Sequence, residues 1–387
     1  MENYNWKKAF AEFKKLKTPE EIWQPETMDL YNNTWEILLS ERKSGKTTQL
    51  LLFGLVCFKL FGIRVEYIRQ TEEMVAPKYT QDLYALINQL GYVNKIFPDF
   101  NTVVYKAKRW YLANIDEDGN TVQQSGNPVC VMNSLDHALD LKSSYVSLNG
   151  DLILFDEFLG RRYTRDEFVL LCHMIDTIRR FRLKTRVFLA ANTISPYSTY
   201  FEEMGIKNEI LKLKRGQTIH KVTPLGLPMQ IQWIDTTIKA SEKRRVGNNL
   251  FYGFGNSKLT SVVGGEGWDI ANYPHLYEYT EDSKCLFRDI YFKLYDIYKC
   301  AEVRHDKRFG YFLYIRPYTS VPDDDTYVFT CEQPTKANEH FYQTPTNKLE
   351  RFVMNCFRDK KVLYATNDDG RFIDEILKKL KKELYKI

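Results

Sequence analysis

Cysteine is sparse in this sequence and never occurs in the pairs that bind metals. Seven cysteines are scattered among 387 residues, without a C-x-x-C pair and without a Cys/His spacing typical of zinc sites. The scatter argues against a structural zinc site and against a disulfide framework. We therefore expect a reducing compartment.

Long apolar runs are missing as well. The longest, Leu50–Cys57, is far shorter than the roughly 20 residues that cross a bilayer. The opening MENYNWKKAFAEFKK lacks the apolar centre of a signal peptide. These two absences predict a soluble intracellular protein that does not bind membranes.

Neither the charge nor the polarity of the chain is extreme. The net charge of +5 allows a basic surface patch but does not by itself indicate one. With 44% hydrophobic and 14% aromatic residues the chain can form real cores, which excludes the disordered class of proteins. Its length accommodates two or three domains.

The segment from Thr34 to Gly54 reads TWEILLSERKSGKTTQLLLFG, an apolar strand followed by a polar loop and an apolar helix. In that order, a Gly-Lys-Thr triplet is typical of a loop that binds nucleotide phosphates. Lys46 would reach the β- and γ-phosphates, and the Thr47 hydroxyl would coordinate Mg²⁺. Arg42, Gly45 and Thr48 complete the predicted ATP-binding loop. The alternative interpretation is an ordinary turn.

One position departs from the usual G-x-x-x-x-G-K-[ST] pattern, because Ser40 replaces the first glycine. This residue turns the chain out of the strand, and a serine fits there if its φ is negative. The replacement removes no phosphate ligand.

A second motif, DLILFDEF, runs from Asp151 to Phe158. Four consecutive apolar residues favour a central strand of a parallel sheet, buried on both faces. The carboxylates that follow would lie at the sheet edge where α/β proteins bind ligands. Asp156 suits Mg²⁺ and Glu157 suits the polarisation of an attacking water. The alternative is a solvated strand end.

Periodicity predicts an alternation of helices and strands over the first 240 residues. We expect helices over 4–17, 46–61, 73–90 and 164–181, strands over 34–39, 64–68 and 186–191, and short β segments over 100–135 around a turn at 116–120. This order indicates an α/β fold with a mostly parallel sheet and helices on both of its faces. An extra strand between the two nucleotide-site strands would make it an ASCE-type P-loop NTPase.

Glycine-rich and basic stretches divide the chain into three regions. Residues 1–240 would form the P-loop ATPase domain, 241–268 a linker or hinge, and 269–387 a smaller α+β domain. The last region contains short aromatic strands and ends in a basic helix over 373–385.

These motifs resemble the DNA-packaging (encapsidation) ATPases of small short-tailed, phi29-like phages, which are related to terminase large subunits. The resemblance is carried by SERKSGKTT, LILFDEF and MIDTIRRFRLKTRVFLAANTIS, and it covers about residues 30–200. It implies an ATP- and Mg²⁺-dependent motor that moves double-stranded viral DNA into a procapsid. It also implies a C-terminal domain of the ribonuclease-H type that has lost its nuclease activity.

The resemblance further implies individual residue roles. Asn192 would sense the γ-phosphate, Arg180 would be donated in trans to the ATP of a neighbouring subunit, and Lys142 would be a second basic residue near that interface. Arg69 would face the DNA. Each role has a purely structural alternative. Asn192 would simply end a buried strand, Arg180 would be favoured by the charge at a helix C-terminus, and Arg69 and Lys142 would be ordinary surface residues.

The same resemblance implies the assembly and its partners. We expect a homomeric ring, a pentamer by similarity, that docks on the portal of the procapsid in the host cytoplasm and is absent from the mature virion. A structural packaging RNA is a further candidate partner. Two other functions stay open on the sequence: a helicase or replication-associated P-loop motor, and a nucleic-acid-binding adaptor with a vestigial nucleotide site.

Overall fold

The computed structural model describes most of the chain, and all structural statements below concern that part. The described residues are 4–19, 22–25, 34–40, 44–138, 149–160, 166–180, 185–192, 196, 198–235, 273–274, 283–307, 309–341, 345 and 347–384. They separate into two compact units, 1–269 and 270–387. The predicted linker, 241–268, lies outside the described residues.

Ten strands of the first unit form one sheet. They are β1 Trp35–Ser40, β2 Val65–Arg69, β3 Thr102–Lys106, β4 Arg109–Ile115, β5 Thr121–Gln124, β6 Cys130–Ser134, β7 Leu152–Asp156, β8 Arg186–Asn192, β9 Thr218–Val222 and β10 Pro228–Trp233. Their order is β3-β4-β6-β2-β7-β8-β1-β10-β9, with β5 beside β4. The six strands from β6 to β10 in this order are parallel, and antiparallel strands border them on both sides.

The extra strand that characterises an ASCE-type P-loop NTPase is present between the two nucleotide-site strands. Strand β8 pairs with β1 on one side and with β7 on the other, both in parallel. All three strands therefore end at the same edge of the sheet, where Ser40, Asp156 and Asn192 lie.

Eight helices of the first unit accompany the sheet within the described residues. They are α1 Trp6–Lys14, α2 Lys46–Phe61, α3 Pro77–Thr80, α4 Ala85–Gln89, α5 Tyr92–Ile96, α6 Glu167–Arg179, α7 Thr199–Glu203 and α8 Lys207–Lys212. Short 3₁₀ turns precede α3 and follow β6. The apolar run of β7 is buried on both faces, because Leu152 and Leu154 belong to one core cluster and Ile153 and Phe155 to the other. A continuous apolar run is what such a strand requires.

The prediction of one helix over 73–90 is wrong. The chain forms a 3₁₀ turn at Glu73–Val75 and two short helices instead. Ala76, which precedes Pro77, has extended backbone angles (φ −62°, ψ 147°) because the proline ring disfavours a helical residue before it. Tyr84 interrupts the helix again (φ −99°, ψ 5°).

The second unit contains a separate six-stranded sheet. Its strands are β11 Lys284–Leu294, β12 Ile297–Asp306, β13 Gly310–Tyr318, β14 Tyr327–Thr330, β15 Glu339–Phe341 and β16 Val362–Tyr364, and its helices are α9 Lys348–Arg358 and α10 Asn367–Leu384. The strand order is β15-β14-β11-β12-β13-β16. Strands β11 to β13 are antiparallel, whereas β14, β15 and β16 join the sheet in parallel. Helix α10 begins at Asn367, earlier than predicted.

A search of the described helices for a membrane span finds none that is both long and apolar enough.

Candidate nucleotide-binding site

Gly45 forms the bend between the polar loop and helix α2. Its φ of 80° lies in the left-handed region, which glycine adopts without steric cost. A Cβ atom at this position would lie 2.6 Å from Cβ of Ile22, so the close approach of the Ile22 side chain also requires glycine. Helix α2 begins at the next residue, and the first backbone N–H groups of a helix, which have no acceptor within the helix, are typical ligands for an anion.

A segment that the sequence analysis missed packs against this loop. The N–H of Trp23 donates to the carbonyl of Ser44 (2.7 Å). The Gln49 side chain, buried on α2, donates to the carbonyl of Trp23 (2.8 Å) and to the hydroxyl of Thr18 (2.7 Å). These bonds bring Ile22 to the loop. No motif in the sequence signals the contact, because it is made mainly through backbone atoms.

Lys46 is buried, with 6% of its surface exposed. Its ammonium group donates to the hydroxyls of Ser40 and Ser44 (3.2 Å to the latter), and Ser40 in turn donates to Ser44 (2.6 Å). Ser40 is a strand residue and is not among the residues with positive φ, as its place in the motif requires. The serine that replaces the usual glycine therefore orients the lysine.

Thr47 and Asp156 lie side by side. The Thr47 hydroxyl donates to Oδ2 of Asp156 (2.8 Å), which also accepts from the Tyr67 hydroxyl (2.7 Å). Two neighbouring oxygens of an octahedral Mg²⁺ shell with bonds of 2.0–2.1 Å are about 2.9 Å apart. The pair therefore fits the ion that the sequence predicts. Burial, and next the negative charge of Asp156, raise the pKa of Tyr67 well above its usual range, so its hydroxyl stays protonated.

Glu157 follows Asp156 in the left-handed region (φ 55°), and its N–H donates to Oδ1 of Asp156 (3.0 Å). Its carboxylate, half exposed, receives a hydrogen bond from the Arg69 guanidinium at 2.5 Å. A non-glycine residue with positive φ beside a ligand site indicates a constrained position. Here the constraint turns the side chain toward β2.

Arg69 joins the two carboxylates to Tyr67. Its Nη1 lies 3.8 Å from Asp156 Oδ2 and donates to the Tyr67 hydroxyl at 3.4 Å. Burial opposes its charge, but Tyr67, Glu157 and Asp156 together raise the pKa of Arg69. The sequence predicted a DNA contact for this residue. In the structure its guanidinium is engaged by the nucleotide site.

One cleft of about 560 Å³ contains most of the predicted residues. Those that line it are Gly45, Lys46, Thr47, Thr48, Asp156, Glu157 and Asn192. Asn192 pairs with Ser40 in the register of β8 and β1, which places it beside the phosphate loop. Ile22 and Leu86 add apolar surface to the cleft.

Two predicted residues that the structure describes, Arg69 and Arg180, are not among the residues that line this cleft. Arg180 is exposed at the C-terminal end of α6, where its N–H donates to the Asp176 carbonyl (2.7 Å) and its φ is 47°. Arg42 and Lys142 lie outside the described residues.

No group of three or more His, Cys, Asp or Glu side chains within the described ranges is arranged to hold a metal ion. A Mg²⁺ ion that arrives with a nucleotide needs only one or two protein ligands, because phosphates and water supply the rest. Thr47 and Asp156 match that requirement.

Comparison with curated proteins finds similarity to DNA packaging proteins of phages. No family model matches the chain. It is 25% identical over 184 residues to the DNA packaging proteins of Bacillus phages phi29 and PZA, a match that covers 46% of this chain and 49% of each relative. The chain thus spans about half the length of the curated relatives it matches.

The fold has a counterpart among solved structures. A chain of the bacteriophage phi29 viral genome packaging motor assembly superposes with a TM-score of 0.52 and 19% identity, covering 93% of this chain and 99% of that one. The resemblance to phi29-like packaging proteins that the motifs indicated is therefore confirmed.

Proposed function

We propose that this chain, which is similar to DNA packaging proteins of Bacillus phages, is an ATP-hydrolysing motor that moves double-stranded DNA into a procapsid. The observation that carries the proposal is the convergence of Lys46, Thr47, Asp156 and Glu157 in one cleft at the ends of parallel strands. The similarity supports a role in packaging over another P-loop process.

ATP would bind with its phosphates on the loop. Gly45, Lys46 and Thr48 would hold the phosphates through backbone N–H groups and one buried ammonium. Thr47 and Asp156 would hold Mg²⁺, which neutralises charge on the phosphates when bound. We also propose that Arg42 contributes to ATP binding in this loop.

Glu157 would orient and polarise the attacking water. In the arrangement described here Oε2 of its carboxylate accepts a hydrogen bond from Arg69, while the side chain stays half exposed. Opening of this ion pair would leave both carboxylate oxygens to the attacking water. Asn192, beside the phosphate loop, would report on the γ-phosphate, since a polar group at a strand end in the cleft needs a partner.

Arg180 would complete a neighbouring site. It lies at the exposed end of a helix and outside its own cleft, which supports a role in trans. A guanidinium at the transferring phosphoryl group is worth about 10³–10⁵ in rate. Subunits of a homomeric ring, proposed here to be a pentamer, would then hydrolyse ATP only beside an assembled neighbour, and Lys142 would act near the same interface.

The second unit is proposed to be a nuclease-type domain without nuclease activity. Its antiparallel strands β11–β13, extended by the parallel strands β14 and β15, support this assignment. Lys293 binds Glu339 at 2.6 Å, and Lys299 binds Asp369 at 2.7 Å. Ammonium groups on buried carboxylates compete with the divalent ions that nucleases need.

DNA contacts are proposed to be with phosphates, independent of sequence and sensitive to salt. The partners would be duplex viral DNA and the portal of the procapsid, with a structural RNA as a further candidate. The motor would work in the host cytoplasm and would leave before the virion matures.

The test is the steady-state ATPase rate with duplex DNA, with single-stranded DNA and without DNA, each at low and moderate salt. Stimulation mainly by duplex DNA that weakens with salt is the expected result. Stimulation mainly by single strands would point to a helicase-like motor, and no hydrolysis by assembled rings would point to an inert adaptor.

A further inference from the structure

Gln70 connects the carboxylate edge of the cleft to helix α6. It follows Arg69 at the end of β2, and its Nε2 donates to the carbonyl of Phe158 (3.1 Å) and to Oε1 of Glu167 (3.0 Å). Two consecutive residues at the end of β2 thus contact two consecutive residues that follow the adjacent strand β7: Arg69 binds Glu157, and Gln70 binds Phe158.

Glu167 is the first residue of α6 and is 3% exposed. A buried carboxylate needs hydrogen-bond donors to offset the loss of water. Besides Gln70, the Tyr200 hydroxyl donates to Glu167 Oε1 (2.7 Å). Tyr200 belongs to α7, which follows β8 and Asn192. Glu167 therefore fixes the start of α6 to the segment after β2, through Gln70, and to the segment after β8, through Tyr200.

Gly160 makes room for this network. A Cβ atom at Gly160 would lie 2.4 Å from Oε1 and 2.6 Å from Nε2 of Gln70. The side-chain amide of Gln70 would then have to move away from both of its acceptors. Since it is the end of a flexible side chain, the movement would cost the fold little.

Helix α6 can transmit a displacement as one body. Its 13 residues span about 20 Å. Leu171, Met174 and Ile178 are fully buried along its length, so the helix packs as a unit. Its other end carries Arg180.

From these contacts we infer that Glu167 is a positioning residue. It couples the carboxylate edge of one subunit's nucleotide site, through Gln70 and α6, to the placement of Arg180 at the neighbouring site. The inference rests on the proposed function, in which Arg180 acts in trans. The nucleotide state of each subunit would in this way change the position of its Arg180 at the neighbouring site, and with it the rate of hydrolysis there.

Three variants in the full-length chain test the inference. Glu167→Ala removes the acceptor for Gln70 and Tyr200, whereas Glu167→Gln keeps one carbonyl oxygen. Gly160→Ala displaces Gln70 alone. Since a misplacement of about 1 Å can cost ~10²-fold in rate, we expect Glu167→Ala rings to lose about 10- to 100-fold in kcat, with KM changed by less than about twofold. Gly160→Ala should lose about 10-fold, and Glu167→Gln less than about threefold.

Mixed rings distinguish a role in trans from a structural role. Lys46→Ala subunits cannot hydrolyse ATP but still offer Arg180 to their neighbours. Adding them should restore kcat per Glu167→Ala subunit, as it should for Arg180→Ala subunits, whereas Glu157→Gln subunits should stay inactive. Mass photometry would verify that the rings are mixed.

Two results would overturn the inference. In one, kcat is unchanged in both Glu167→Ala and Gly160→Ala rings. In the other, kcat falls but is not restored by Lys46→Ala subunits that do restore Arg180→Ala, which would assign Glu167 to its own site. If Glu167→Ala fails to fold, Gly160→Ala decides by the same criteria. If Arg180→Ala itself is not restored in verified mixed rings, the role of Arg180 in trans fails, and the inference fails with it.

Discussion

Arg69 and Glu157 form an ion pair across neighbouring strands, with 2.5 Å between Nη2 and Oε2. The carboxylate proposed to activate water is therefore held by a guanidinium from β2. The pair occupies Oε2 of this carboxylate, and the Glu157 side chain stays half exposed.

Arg69→Ala should raise the ATPase rate in the absence of DNA. Glu157 is half exposed, so the ion pair is worth about 0.2–1 kcal/mol, which corresponds to roughly 1.5- to 5-fold in rate. The measurement is steady-state phosphate release without DNA. Lys108→Ala, which breaks the exposed ion pair with Glu72, is the matched control and should leave the rate unchanged. A lower basal rate in a folded Arg69→Ala protein would mean that Arg69 promotes hydrolysis instead.

Glu157→Gln should keep ATP binding and lose hydrolysis. The amide fills the same space but is a poor base, and the loss of a general base typically lowers the rate by about 10²–10⁴. Calorimetric titration with ATP and a single-turnover assay measure the two properties. Glu73→Gln, at an exposed carboxylate that is not among the residues lining the cleft, serves as a neutral control. Turnover that survives in Glu157→Gln would show that another group activates the water.

Thr47→Ala should raise the Mg²⁺ concentration needed for half-maximal ATPase activity. The hydroxyl lies 2.8 Å from Asp156, at the spacing of two ligands of one ion. Thr47→Ser keeps the hydroxyl and should keep the Mg²⁺ requirement. An identical Mg²⁺ dependence in the two variants would remove Thr47 from the metal site.

Gly45→Ala and Gly62→Ala compare the two ends of α2. Both glycines have positive φ, 80° and 68°, so each substitution should cost about 1–2 kcal/mol of folding free energy. Only Gly45 faces a neighbour at close range, Ile22, whereas nothing lies within 4 Å of a Cβ at Gly62. Gly45→Ala should therefore also weaken ATP binding. Equal ATP affinity in the two variants, measured by titration, would contradict this account of the loop.

Arg180→Ala rings should be inactive by themselves and should regain activity when Lys46→Ala subunits are added. Each mutant subunit then supplies what the other lacks. Phosphate release across a series of mixing ratios is the measurement. Activity that falls linearly with the mutant fraction, without any gain in mixtures, would argue against a residue shared between subunits.

The sequence predicted those elements whose patterns are local. The apolar run of β7 predicts a central strand, because a strand buried on both faces needs apolar residues throughout. The strand–loop–helix order around Lys46 is equally local, because Gly45 can adopt the left-handed backbone that the bend requires. Local periodicity gave a wrong prediction over 73–90, because it indicated one continuous helix although Pro77 disfavours a helical residue before it. The domain boundaries at 240 and 268 stay a prediction.

Contacts between distant segments could not be predicted. Arg69 and Glu157 meet only because β2 lies beside β7, an order that follows from the whole sheet. Likewise, the contact between Trp23 and Ser44 depends on backbone groups that carry no side-chain signal. The network of Gln70, Gly160 and Glu167 combines three segments, each of which is unremarkable by itself.

ATP-driven displacement of a triplex-forming oligonucleotide from duplex DNA by assembled rings would show whether this site drives movement along duplex DNA. We predict displacement by the unaltered chain with ATP and Mg²⁺, and none by Glu157→Gln rings that still bind ATP and DNA. Rings that hydrolyse ATP in a Glu157-dependent manner without displacing the third strand would contradict the proposal that this site drives movement along duplex DNA.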